Sequence, residues 1–406
     1  MKIGILDIGS NKISCFIGNL EKDKDPEIIG IGHHSSEGIK SGVITDMELA
    51  QKSIISTIQS AENMCDGETV EEFIVNFSSN TIQSNIVNFS VSLGGNEITY
   101  EDIKNIDKKL ENLPLGKDRS LIHKIPTSYT VDGQRGITNP IGLKGNVLIA
   151  GFNLVTASKN ILDNFINCLS TCRVKVSDIV VTPYASGLGC LNEDEFFIGT
   201  TVIDIGSGNT SIATFFNNKL IYANSFELGG QNISSDIARG LSTPLSEAER
   251  LKILHGSNLN EFNGDEFIDI FLSGNENTTE THKIPKKVLT NIINSRLKEI
   301  FEIVRSKVCK SVLNKKFTNK IVLTGDSSRL KGITEMASNI LGSRVRLGKP
   351  VGVKKLAENK SGPGFSVSAG LMKYKNIKDN FGNRPEGVEN SLIFRKFGTW
   401  IRESFF

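Results

Sequence analysis

ILDIGSNKISCFIG, residues 5–18, and VIDIGSGNTSIATF, residues 202–215, share the phrase Asp-Ile-Gly-Ser. In each copy an apolar run ends in an acid, a small polar turn follows, and a second apolar run leaves it. This is the pattern of a β-hairpin with a Gly/Ser/Asn tip. Backbone N–H groups at such a tip can form an anion-binding nest, because no large side chain blocks close approach of a phosphate. The carboxylates of Asp7 and Asp204 would be repelled there unless a divalent cation intervened, and Mg2+ held through water is the natural partner. One Asp-x-Gly also marks ordinary hairpin turns. Two copies in equivalent settings, one per half of the chain, point to a duplicated fold that grips a nucleotide between its halves.

At 406 residues the chain is expected to form two or more domains. A composition of 38% hydrophobic and 23% charged residues is ordinary for a globular protein, and a net charge of +2 argues against a nucleic-acid partner. The opening MKIGILDIGS turns at once and lacks the apolar core of a signal peptide. No stretch reaches the apolar length of a bilayer span, so a cytoplasmic protein is expected. The six cysteines, at 15, 65, 168, 172, 190 and 309, make no Cys-x-x-Cys pair and read as reduced, inert thiols. His33-His34 is isolated from any ligand cluster.

Beyond the first hairpin, the pattern predicts a third strand near Ile28–His33 and a helix over Met47–Asn63 capped by Thr45 or Asp46. A strand, EFIVNF, follows from Glu72. Turn residues multiply over 125–145 and a strand follows within 146–157, so 81–158 reads as a small inserted α+β unit. Helix, strand and helix return over 159–190, and the second half opens at Phe196. There Gly229-Gly230 precedes a helix starting near Asn232, a third candidate contact for phosphate or ribose, since helix N-termini favour anions. In the short helix 246–256, Glu249 and Lys252 have a spacing that taken alone suggests a solvated ion pair. Apolar spacing from Lys286 to about Lys315 predicts a long amphipathic helix. Ile321–Ala337 reads as strand, Gly turn and helix, with its turn at a sheet edge where α/β folds bind ligands.

Residues 376–390 are polar and turn-rich, the composition of a flexible linker. Beyond them lies SLIFRKFGTWIRESFF, residues 391–406. At about 100° per residue, Ile393, Phe397 and Trp400 fall together, flanked by Leu392 on one side and by Phe394, Ile401 and Phe405 on the other. Arg395 and Arg402 project from the opposite face, with Lys396 at the boundary. So short a helix is marginal alone in water. Large apolar side chains at about 1.5–3 kcal/mol each, plus roughly 1 kcal/mol per basic residue near anionic lipid, offset its ordering. The expected role is an anchor lying in an anionic membrane surface; the alternative is docking on its own domain.

In this order of parts the chain resembles, through nearly its whole length, the bacterial cell-division actin homologue family FtsA. DIGSNK at 7–12 looks like the family's first phosphate motif, and 123–145 is similar to the segment peculiar to its inserted subdomain 1C. DIGSGNTSIA at 204–213 looks like the second phosphate motif, GDSSRLKG at 325–332 the adenosine motif, and the C-terminal helix the membrane-targeting sequence. The 1C segment and the tail discriminate, because the phosphate motifs alone occur throughout the actin, sugar-kinase and heat-shock chaperone group.

The resemblance implies an α/β fold class: a duplicated actin-like, ribonuclease H-like fold with mixed sheets, the inserted α+β subdomain 1C and a C-terminal amphipathic helix. It implies subdomain 1A at 1–80 and 159–194, 1C at 81–158, 2A at 195–230 and 317–352, and 2B at 231–316. A return to 1A at 353–375, the linker 376–390 and the membrane helix 391–406 complete the chain. It further implies ATP and Mg2+ in the cleft, self-association into filaments, and tethering of the FtsZ C-terminal tail to the cytoplasmic face of the bacterial inner membrane at the division site. Later division proteins would meet 1C.

Carried over by position, Asp7, Gly9, Ser10, Asn11 and Lys12 belong to the first phosphate loop, and Asp204, Gly206, Ser207, Gly208 and Asn209 to the second. Asp7 and Asp204 hold Mg2+ through water. Gly229, Gly230, Glu249, Lys252 and Gly325 line ribose and adenine, and Arg296 and Glu299 receive the FtsZ tail.

Two departures shape the expectation. Thr182, before Pro183, stands where related ATPases often carry a Glu that helps place the attacking water, so weak or absent ATPase activity is expected. Gly325-Asp326 replaces the family's usual Gly-Gly and adds bulk and charge beside the nucleotide. The main rival is an exopolyphosphatase-like phosphohydrolase, which begins with the same motif but has no use for a detached amphipathic end. A chaperone would need a peptide-binding domain after its ATPase half, and a pilus-assembly actin homologue lacks the membrane helix.

Overall fold

The computed structural model describes residues 1–21, 24–111, 113–257, 266–271, 282–310 and 320–381. The first hairpin is β1 (Lys2–Ile8) and β2 (Lys12–Asn19), with Asp7 opposite Ser14. β3 (Glu27–Ser35) pairs antiparallel with β2, and the short ladder β4 (Ile39–Lys40) and β5 (Val43–Ile44) leads into α1 (Met47–Asn63). Asp46 is the cap of α1: its carboxylate accepts from the Leu49 N–H at 3.0 Å, satisfying an orphan donor of the first turn. β6 (Glu72–Phe77) then runs parallel to β1.

The inserted unit comprises β7 (Gln83–Ser92), α2 (Tyr100–Glu111), β8 (Arg119–Val131), β9 (Gln134–Ile137) and β10 (Val147–Ser158). Much of the stretch that its composition marked as turns is strand. β8 passes through Pro126, whose missing N–H is tolerated because the β8–β10 register shifts at Gly151/Phe152. Ile98, Ile106, Leu148 and Phe152 give this unit a core of its own.

The first half closes with α3 (Lys159–Thr171), β11 (Lys175–Val181), α4 (Thr182–Cys190) and α5 (Glu193–Ile198). The second half runs β12 (Thr200–Ile205), β13 (Thr210–Phe216), β14 (Lys219–Phe226), α6 (Gly230–Leu241), α7 (Leu245–His255), β15 (Phe267–Ile270), β16 (His282–Pro285) and α8 (Lys286–Lys310). It ends with β17 (Lys320–Thr324), α9 (Ile333–Leu341) and β18 (Arg344–Leu347), after which α10 (Ser366–Phe381) packs back on the first half.

Strand order shows the duplication directly. The first sheet runs β11-β6-β1-β2-β3, and the second-half strands run β18-β17-β12-β13-β14, with the central hairpins antiparallel and their β6 and β17 neighbours parallel. Each repeat therefore places its Asp at the end of a central strand. β1 and β12 are buried on both faces, as central strands covered from two sides must be.

Beyond β14 the second sheet continues through β7, β10, β8 and β9, so the inserted unit extends the sheet of the second half. The seam is narrow: Asn224 pairs with Gln83, the Ala223 N–H donates to Ser84 Oγ at 2.8 Å, and the Ser225 N–H donates to the Ile82 carbonyl at 3.2 Å. It covers the β14 edge that would otherwise stand open.

Boundaries shift from the sequence expectation at α6 and at α10. α6 starts at Gly230, because Gly229 is its cap residue. Residues 376–381, assigned to the linker, continue α10, whose Asn376 Nδ2 donates to the carbonyls of Glu21 at 3.3 Å and Lys24 at 3.1 Å. α8 is described to Lys310, and the expected extension to Lys315 lies outside the described residues, as do the rest of the linker and the amphipathic segment 391–406. Among the described residues no helix is long and apolar enough to cross a membrane.

Candidate functional site

The two Asp-Ile-Gly-Ser turns meet at one cleft. Each is closed by the same bond, from the Gly9 N–H to the Lys12 carbonyl and from the Gly206 N–H to the Asn209 carbonyl, both at 3.0 Å. A Cβ on Gly208 would stand 2.9 Å from Ser10 Oγ and from the Ser41 backbone, so only glycine lets the tips approach this closely. Ser41 Oγ donates to the Gly208 carbonyl at 3.4 Å and Asn209 Nδ2 to Ser78 Oγ at 3.3 Å, tying the second turn to the first half. Asp7, Gly9, Ser10, Asn11 and Lys12 line one side, Asp204, Gly206, Ser207, Gly208 and Asn209 the other, with Gly325 and Asp326 beside them.

The two acids are buried, 8% and 6% exposed. Ser368 Oγ on α10 donates to Asp7 Oδ2 at 2.7 Å, and Ser186 on α4, whose hydroxyl donates to the Pro183 carbonyl at 3.2 Å, stands close enough to Asp204 to pull its pKa down. Burial pushes Asp7 up to about 6, against the pull of Ser368 and Lys12. Burial, then the charge of Asp7, pushes Asp204 up to about 7. Facing acids of this kind titrate as a unit, and both lack the positive charge that would let them ionise freely.

Asn209 Oδ1 is likewise buried without a partner. Under-compensated carboxylates and an unpaired amide oxygen form an oxygen donor set suited to a hard divalent cation. Among the described residues no cluster of three or more His, Cys, Asp or Glu side chains could hold a metal directly. A cation held partly through water fits this arrangement.

The start of α6 braces the second turn. The Gly230 and Gln231 N–H groups donate to the Gly206 and Ser207 carbonyls, each at 2.9 Å, so these amides hold the loop in shape. Behind them Lys252 is buried, and its Nζ donates to the Gly230 carbonyl at 3.0 Å, Ser234 Oγ at 2.9 Å and Glu249 Oε2 at 2.8 Å. The Glu249–Lys252 pair is thus part of a polar network, in contrast to the solvated pair that its spacing alone suggests. Gly325 has φ +87°, and a Cβ there would fall 2.4 Å from Asp204 Oδ1. Asp326 avoids positive φ and opens a 3-10 turn, Asp326–Arg329, with its Oδ2 2.6 Å from Lys12 Nζ across the cleft.

Thr182 lines the cleft floor and supplies a hydroxyl, which accepts from Asn76 Nδ2 and donates to the Phe77 carbonyl, both at 3.2 Å. Arg296 and Glu299 stand apart from the cleft on α8, where Arg296 grips Asp236 at 2.6 and 3.0 Å and also bonds Glu299. Sequence reasoning missed Ser186, Ser368 and Asn76, whose Oδ1 takes the Ile8 N–H at 2.6 Å. The signal for the serines was faint: runs of small residues, ASG at 185–187 and SAG at 368–370, where α4 and α10 cross so closely that a Cβ on Gly370 would meet the Ala185 carbonyl at 1.8 Å.

Comparisons with known proteins agree with this architecture. A family model described as "Cell division protein FtsA" matches residues 201–370, and one described as "SHS2 domain inserted in FTSA" matches 79–156, the unit built on β7 to β10. Cell division protein FtsA of Rhizobium meliloti (strain 1021) is 35% identical over 419 residues, covering 99% of this chain and 95% of its own. That of Escherichia coli (strain K12) is 27% identical over 416 residues, covering 98% and 97%. Among solved structures, the PilM-PilN type IV pilus biogenesis complex aligns with a TM-score of 0.64 at 15% identity, over 93% of this chain and 99% of that one. MreB5 of Spiroplasma citri bound to ADP aligns with a TM-score of 0.59 at 13% identity, over 94% and 99%. At such identities these structures establish the actin-like fold alone, whereas the near full-length identity to curated relatives and the matched insertion identify the chain as a member of the FtsA family of cell-division proteins.

Proposed function

We propose that this protein binds Mg2+ and ATP between its halves, self-associates into filaments and tethers FtsZ to the cytoplasmic face of the inner membrane at the division site. The single observation behind this reading is the meeting of two equivalent turns at one cleft with two buried, under-compensated acids between them. A fold neighbour, MreB5, was solved with ADP.

In this reading Asp7 and Asp204 hold Mg2+ through water, while Ser10, Asn11, Lys12, Ser207, Gly208 and Asn209 hold phosphates. Gly229, Gly230, Glu249, Lys252 and Gly325 face ribose and adenine. Bound nucleotide supplies negative charge that both halves contact at once. With a hydroxyl at Thr182 and no carboxylate at that position, turnover is weak or absent, and nucleotide serves to set the conformation.

Arg296 and Glu299 receive the FtsZ C-terminal tail, the inserted unit 81–158 meets later division proteins, and the helix 391–406 anchors the chain through Leu392, Ile393, Phe394, Phe397, Trp400, Ile401 and Phe405, with Arg395, Lys396 and Arg402 toward anionic headgroups. Many such weak helices on one filament give stable attachment by multivalency.

One co-sedimentation experiment with anionic vesicles, ATP and FtsZ tests the scheme. The intact chain carries FtsZ down with lipid. A chain ending at Asn390 leaves both in solution, and Asp204→Ala loses the ATP dependence. Equal recovery of the truncated chain would remove the anchor, and an unchanged ATP response of Asp204→Ala would remove the cleft assignment.

A further inference from the structure

We propose that Lys12 and Asp326 form a latch across the cleft, so that an incoming polyphosphate must take Lys12 from Asp326 and Asp326 thereby sets the affinity of the site. This rests on the reading of the cleft as a polyphosphate site. Among the described residues lining the cleft, Lys12 is the one cation. Its Nζ stands 2.6 Å from Asp326 Oδ2 and 4.0 Å from the centre of the Phe365 ring. Lys12 leaves the first turn and Asp326 follows β17, so the pair links the two halves at the mouth of the site.

The seat of this carboxylate is shaped to hold it. A Cβ on Gly364 would fall 1.8 Å from Asp326 Oδ1, so any side chain at 364 would evict the acid. Lys12 is mostly enclosed, its side chain 19% exposed, while Asp326 at 45% faces the opening. Within the cleft lining, Asp7, Asp204 and Asp326 thus share Lys12, with Lys360 just outside at 5.1 Å from the centre of the same Phe365 ring, and the outermost of the three acids holds Lys12.

A phosphate that approaches Lys12 gains a cation only as Asp326 loses one. The contact with Asp326 is half in water, which places its worth near the top of the range for exposed pairs, about a five-fold effect on affinity. Removing a nearby negative charge would favour any anion through the field alone. Coupling to Lys12 is what separates a latch from that general effect.

The test is calorimetric titration with Mg–ADP of four folded chains: wild type, Asp326→Asn, Lys12→Ala and the double variant. Asp326→Asn keeps the shape and removes the charge; it is expected to bind about five-fold more tightly. Lys12→Ala is expected to cost about five-fold more in the Asp326→Asn background than in wild type. Gly364→Ala, which displaces the carboxylate without altering charge, should tighten binding in the same direction. Equal costs of Lys12→Ala in both backgrounds would overturn the latch while leaving the nucleotide site intact. Absence of Mg–ADP binding in every chain would overturn the polyphosphate reading itself.

Discussion

Glu195 in α5 and the Asp7–Asp204 pair at the cleft are buried to similar degrees, 3% against 8% and 6% exposed, and the fold treats them in opposite ways. Burial alone would raise the pKa of Glu195. Arg346, whose Nε donates at 2.8 Å, the Asn192 N–H at 3.1 Å and Lys320 Nζ at 3.0 Å outweigh that penalty and hold the carboxyl down at about 2. At the cleft, burial dominates and the acids stand at about 6 and about 7. One site has its counter-charges built in, from strands β17 and β18, and so fastens α5 to the second-half sheet. The other leaves its negative charge under-compensated, which is the condition of a site that awaits a ligand.

The largest effect that would break this contrast is expected at Glu195. Glu195→Gln strands the charge of Arg346 and Lys320, and the loss should be roughly 2–3 kcal/mol, below that of a fully buried broken pair because both partners remain partly in water. Equilibrium urea unfolding measures it. The wild-type contribution is present above the ordinary 4.5 of a free Glu and fades as pH falls toward about 2, because the folded pKa is the lower one. A Gln variant as stable as wild type at pH 7 would mean that the built-in cations merely tolerate the acid.

At the cleft the sign reverses. A folded pKa above the ordinary 3.8 means that the folded state keeps its proton longer than the unfolded chain does, so stability falls as pH rises from about 4 to about 7 and levels beyond. Asp204→Asn removes the repelled charge. It should stabilise the ligand-free protein by roughly 1–2 kcal/mol at pH 8 and leave it unchanged near pH 4, read from thermal melts at the two pH values. Millimolar Mg2+ with ADP should shrink the difference, and chelation should restore it. A benefit of equal size at both pH values would mean that the aspartate is a packing element like any other.

The fold was legible where the determinants are local. Each Asp-Ile-Gly-Ser phrase carries its own turn chemistry, Asp46 caps its own helix, and apolar spacing marks α8. Strand type and the duplication followed from these. The seam between β14 and β7 was not legible, because pairing at a sheet edge depends on two distant segments and leaves no period in either. Pro126 looked like a turn because a bulge that tolerates it is specified by the partner strand.

At the site, the glycines and acids announced themselves, whereas Ser186 and Ser368 act from helices whose small residues read as close packing. Lys12 and Asp326 were each noticed, but their pairing needed the halves to be placed together. The tail that carried the membrane expectation lies outside the described residues.

The smallest expected effect sharpens the contrast most, since it asks how much the cleft does to hold its acids. Ser368 is fully buried, and its hydroxyl donates to Asp7 Oδ2 at 2.7 Å, a bond that favours the ionised form and so opposes the upward push of burial. Ser368→Ala removes that donor and should move the pKa of Asp7 further up, by less than about one unit, with a stability cost of about 1 kcal/mol or less that is larger at pH 8 than at pH 5. The pH at which the ligand-free stability profile levels should shift upward with it. A pH-independent cost would show that the hydroxyl only fills space. The compensation at Asp7 would then fall to Lys12 and the Ser368 backbone N–H, and neutralising Asp326 would become the stronger control over both acids.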